Sequence, residues 1–117
     1  MLDLFVYGTL RPGEALHHLI EDSVLHSEPF TMYAAELHYH VCNEYPVLRT
    51  SSALSNVDGD VCTLLATNAV RDVLAMEVLA GYDARWVVVN GREVLAFFWP
   101  EHLPVGAHIP SGDWRNR

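Results

Sequence analysis

Leu2-Asp3-Leu4-Phe5-Val6-Tyr7-Gly8-Thr9-Leu10-Arg11-Pro12-Gly13 is the most informative run in this 117-residue chain. Leu2, Leu4 and Val6 alternate with Asp3, Phe5 and Tyr7, and a period of two is expected of a strand whose side chains point to opposite faces in turn. Gly8 has no Cβ and opens backbone conformations that other residues avoid, so the strand is expected to end there in a turn. Gly8 and Gly13 bracket the turn, and Glu14 opens a predicted helix. Within such a turn the N–H groups of Gly8, Thr9 and Leu10 can converge on a carboxylate or a developing oxyanion, forming a backbone anion cradle. The same residues also suit an ordinary strand-to-helix connection, because Gly and Pro are common turn residues.

Beyond the turn, Ala15, Leu16, Leu19 and Ile20 have the spacing of one helical face, which predicts a short helix over Glu14 to Glu21. From Val24 to Val41 apolar and β-branched residues recur without helical periodicity, and Ala35 to Cys42 alternates as a strand does, after the interruption at Pro29. Asn43 to Asn56 reads as a long connection. Val61, Thr63 and Leu65 oppose Cys62, Leu64 and Ala66, giving a central strand with two apolar faces, as in a barrel wall or a covered sheet. Thr67 and Asn68 are helix-capping residues, Ala69 to Ala80 is rich in helix formers, and Gly81 suits a left-handed stop. Arg85 to Val89 and Arg92 to Trp99 flank Asn90-Gly91, whose residues tolerate the positive φ that a type I′ hairpin turn requires. Past Pro100, the residues Pro104, Gly106, Pro110 and Gly112 predict an irregular tail.

At this length, with 50% hydrophobic residues, one domain over residues 1–117 can bury a core without metal or disulfide support. The formal net charge of -8 and the scatter of the seven basic residues, all Arg, argue against a nucleic-acid footprint. No apolar run is long enough to span a bilayer and Asp3 stands where a signal peptide is basic, so a cytoplasmic protein without membrane partners is expected. In that compartment Cys42 and Cys62 are expected to be reduced, buried, small apolar residues.

Glu77 is the titratable residue to watch. Val70, Val73 and Leu74 precede it by seven, four and three positions and share its helical face, so its carboxylate is expected to turn toward the core. No basic residue lies three or four positions away to neutralise it. Desolvation would raise its pKa toward the range useful to a general base or acid near neutral pH. Taken alone, the same position also fits a Glu at the edge of the stripe that reaches solvent or a distant Arg.

Val6-Tyr7-Gly8-Thr9-Leu10 resembles, without a gap, the signature of the γ-glutamylcyclotransferase-like family, which includes the AIG2-like and butirosin-biosynthesis cyclotransferases. Further elements follow in the family's order: Tyr45-Pro46-Val47-Leu48, Asp58-Gly59-Asp60-Val61, Glu77, Tyr82, and the ending Ile109-Pro110-Ser111-Gly112-Asp113-Trp114. The resemblance implies an α+β fold, a small mixed or antiparallel β-barrel flanked by two helices. It also implies an enzyme that releases 5-oxoproline from a small-molecule γ-glutamyl amine or amino acid by intramolecular aminolysis, without a cofactor. Glu77 would be the catalytic acid/base, the N–H groups around Gly8, Thr9 and Leu10 would hold substrate oxygens, and Tyr7 and Tyr82 would contact substrate or wall the pocket.

Leu74, Val78 and Arg85 depart from the family's usual residues around Glu77, the Arg being displaced by one position. The rival reading is therefore a binding module of the same fold for a γ-glutamyl or other carboxylate-bearing molecule. A third reading draws on the seven His residues as metal ligands, with His38 and His40 two apart on a strand and His17 and His18 on the first helix. No Cys or carboxylate accompanies them at recognisable ligand spacing, so no metal is assigned. Neither Cys lies in a nucleophile motif.

Overall fold

The computed structural model describes residues 1–117, Val89 by its backbone alone. Eight strands and one α-helix follow in the order β1 (Leu2–Val6), β2 (Val24–Tyr33), β3 (Ala35–Tyr39), β4 (Pro46–Thr50), β5 (Asn56–Leu64), α1 (Asn68–Leu79), β6 (Asp83–Val89), β7 (Arg92–Phe98) and β8 (His108–Ile109). Five strands form one sheet in the order β2-β5-β1-β7-β6, and three form a second in the order β4-β3-β8. Within the larger sheet β1 runs antiparallel to β5, with Leu4 opposite Cys62, and parallel to β7, with Leu4 opposite Leu95.

The alternation in β1 sorts its side chains into two cores. Phe5 and Tyr7 join Leu37, Leu48, Val61, Phe98 and Ile109 between the two sheets. Leu4 and Val6 face the other way, into a layer with Cys62, Leu64, Phe97 and the helix residues Val70 and Val73. This explains the two apolar faces of β5, which is interior and covered on both sides. The sheets touch where the Trp99 N–H donates to the Leu48 carbonyl at 2.7 Å. The larger sheet nevertheless keeps two edges, β2 and β6, and among the described residues no closed barrel forms. The barrel expectation is corrected to two packed sheets. Pro29 lies within β2, where an edge position spares it a second ladder partner.

Two local readings also change. The expected helix over Glu14 to Glu21 is replaced by two 3₁₀ turns, His17–Leu19 and Glu21–Ser23, so α1 is the one α-helix among the described residues. The Leu16 N–H is drawn back to the Thr9 carbonyl at 2.8 Å, and His17 Nδ1 meets the Leu10 carbonyl at 2.8 Å, so the preceding turn competes for the bonds a helix would use. The supposed connection Asn43 to Asn56 contains β4, which opens on Pro46, a strand's first residue being one of the few places a sheet accepts proline.

Helix α1 starts where expected: the Thr67 hydroxyl accepts the Val70 N–H at 3.3 Å. It ends in a Schellman motif, with Gly81 at φ +109, its N–H on the Val78 carbonyl, and the Tyr82 N–H on the Glu77 carbonyl at 3.2 Å. Asn90 (φ +52) and Gly91 (φ +76) turn β6 into β7 as the hairpin reading requires. Among the described residues, no helix is long and apolar enough to cross a membrane.

Candidate active site

Where β1 ends, a cavity of about 410 Å³ opens between the Gly8 turn, the start of β4, the last turn of α1 and β7. Tyr7, Gly8, Thr9, Leu10, Glu77 and Tyr82, six residues scattered over the sequence, all line it. Gly8 serves this site differently from the sequence expectation. Its φ is not positive; instead, a Cβ there would lie 2.3 Å from Cγ of Pro46, so the missing side chain lets the Tyr45-Pro46 segment close against the turn.

The turn is anchored from behind by Arg11. This buried guanidinium pairs with Asp60 of β5 at 2.8 Å and with Asp113 of the tail at 2.9 Å. Among the described residues, none of the N–H groups of Gly8, Thr9 and Leu10, three residues that line the cavity, donates to a backbone carbonyl outside the strands and helices.

The same cavity carries acceptors. Glu77 makes no ion pair among the described residues, and burial pushes its carboxyl pKa up from the usual 4.5. Tyr7 donates its hydroxyl proton to the Phe97 carbonyl at 2.7 Å, and Tyr82 donates to the Pro46 carbonyl at 2.8 Å. Each phenol has one proton, already committed, so toward a ligand each offers lone pairs. Burial first, then the other phenol or Glu77, raises both phenol pKa values and keeps them neutral. Carboxylate and hydroxyl lone pairs suit an ammonium group, while free N–H groups suit a carboxylate. Among the described residues, no Lys, Arg or His lines the cavity.

Sequence reading assigned no role to Glu44, Met76 and Phe97, which also line the cavity; they carry no motif and reach it only through the packing of β4, α1 and β7. Arg85 stands outside it, over the Phe98 ring at 4.8 Å, and Val78 is exposed, so neither departure from the family pattern contacts the cavity. Cys42 and Cys62 are unpaired; Cys62 is buried as expected, whereas Cys42 is exposed and within 3.0 Å of His40 Nδ1.

A fold of two packed sheets with a cavity of this size at the end of β1 offers a site on the scale of a small molecule. The chain belongs to the AIG2-like gamma-glutamyl cyclotransferase family, whose model matches residues 4–116. That membership implies a cyclotransferase-like enzyme. Among solved structures, the uncharacterized protein PH0828 from Pyrococcus horikoshii is similar with a TM-score of 0.75 at 21% identity, covering 97% of this chain and 90% of its own. The uropathogenic E. coli-specific protein c4763 aligns with a TM-score of 0.72 at 22% identity, over 97% of this chain and 92% of its own. YkqA from Bacillus subtilis gives 0.72 at 24% identity, over 97% of this chain but 39% of its own. At these identities the likeness is one of fold. Among curated proteins, no sequence matches.

Proposed function

We propose that the protein releases 5-oxoproline from a γ-glutamyl amine or γ-glutamyl amino acid by intramolecular aminolysis, with Glu77 as the acid/base. The observation that carries this reading is an unpaired, half-buried carboxylate in the same cavity as the Gly8 turn. Glu77 accepts a proton from the substrate α-ammonium, and the freed nitrogen attacks its own γ-carbonyl carbon. The tetrahedral intermediate then collapses, the γ-carbon–nitrogen bond breaks, and Glu77 returns its proton to the departing amine. The ring nitrogen then gives up its second proton, which Glu77 takes and passes to the released amine, so the positive charge of the substrate ammonium ends on the product amine and the protons balance.

The N–H groups of Gly8, Thr9 and Leu10 hold a substrate carboxylate or the developing oxyanion, where fixed dipoles cost no reorganisation during reaction. Tyr7 and Tyr82 accept from the ammonium before it gives up its proton. Closing a five-membered ring needs orientation more than force, and a preformed cavity supplies orientation.

The test is incubation of the protein with a panel of γ-glutamyl amino acids and γ-glutamylamines, reading 5-oxoproline by mass spectrometry. Release from at least one member is expected. Binding of panel members without release from any would replace this reading with that of a binding module.

A further inference from the structure

On the side of β3 away from Leu37, three potential ligands meet without having been assigned a role. Antiparallel pairing of β3 with β8 sets His38 directly opposite His108, and Glu36 lies two residues before His38 on the same face. One ligand atom from each of the three lies within 4.8 Å of the others. His38 Nε2 is 2.9 Å from Glu36 Oε1, and the two imidazole centroids are 5.0 Å apart. His40, the partner expected for His38 from sequence spacing, turns elsewhere: its Nδ1 accepts the Cys42 N–H at 3.1 Å, and its ring stacks on Tyr45.

We propose that Glu36, His38 and His108 form a site for a divalent transition-metal ion of the zinc type, which clamps the C-terminal segment to β3. Bond lengths of about 2.0–2.1 Å place neighbouring ligands of a tetrahedral ion roughly 3.3 Å apart. Glu36 and His38 are already near that separation, and His108, exposed on a two-residue strand, is the side chain with freedom to close in.

Two imidazoles and one carboxylate suit zinc better than magnesium or calcium, which prefer oxygen ligands. Three protein ligands leave one position for water. None of the three residues lines the cavity that holds Glu77, so the site is independent of the proposed reaction. Its consequence is mechanical: the ion adds a fastening to the join of β8 with β3, which has two register pairs, Leu37 with Ile109 and His38 with His108, and the backbone bonds of Tyr39 with Ala107 and Gly106.

The test uses the full chain, freed of metal and titrated with Zn²⁺ by calorimetry, with Mg²⁺ as the control ion. One Zn²⁺ per chain is expected, with an affinity that falls at least tenfold in His108→Ala and in Glu36→Gln and is unchanged in His102→Ala, an exposed His of the tail. Thermal melting should rise with Zn²⁺ in the wild type and not in His108→Ala, while the melting of metal-free His108→Ala matches the metal-free wild type. Absence of stoichiometric binding, full affinity in both ligand variants, or an equal loss in His102→Ala would overturn the proposal.

Discussion

Gly8 and Arg11 show how single residues shape this site through packing and charge behind it. A methyl group at Gly8 would sit 2.3 Å from Pro46, so Gly8→Ala must push β4 from the turn; the expected cost is about 1–3 kcal/mol, as for other overpacked cores, read by urea denaturation. Arg11→Met leaves Asp60 and Asp113 without their counter-charge. Removing one member of a buried ion pair typically costs about 3–5 kcal/mol, and adding Asp60→Asn should recover part of it. Glu77 has the opposite character. Its folded pKa is raised above the unfolded value, so its ionisation weakens the fold as pH climbs between those two values, and the full penalty is present above them. Glu77→Gln is therefore expected to be more stable than the wild type at neutral pH, with a difference that shrinks toward acid; equal stability at every pH would show that burial does not perturb this carboxyl.

At the scale of elements, the end of α1 matters most. Its Schellman cap joins the Glu77 carbonyl to the Tyr82 N–H, so the bond that stops the helix also sets these two cavity residues beside each other. Gly81→Ala adds a Cβ that meets only the Trp99 ring, at an ordinary 3.5 Å, and its effect comes through the backbone at φ +109. The expected loss is about 1–2 kcal/mol, accompanied by a fall in turnover larger than thermal melting alone would explain. This helix and the Asn90-Gly91 hairpin were legible in the sequence because caps and turns are specified by a few local residues. The first helix and β4 were not. Residues 14–21 have helical spacing, but the Gly8 turn takes their hydrogen bonds, a competition settled only in three dimensions. Pro46 disguises a strand whose Val47 and Leu48 bury on opposite faces.

For the whole molecule, the two-sided burial of β5 could be read from its two apolar faces, whereas closure could not, since a barrel wall and a covered sheet present the same pattern. The cavity itself arises from four segments meeting at one end of β1, and motif order rather than any single spacing pointed to its members. Glu44, Met76 and Phe97 carried no such signal. The central claim is that this assembly brings one uncompensated carboxylate to a zwitterionic substrate, and the most direct measurement is 5-oxoproline release by Glu77→Gln beside the wild type on the same γ-glutamyl substrate. Loss of general acid/base catalysis predicts a fall in kcat of about 10²–10⁴-fold with KM little changed, and a wild-type rate that drops on the acid side through a pKa above the ordinary carboxylate range. Turnover by Glu77→Gln at the wild-type rate would contradict the account.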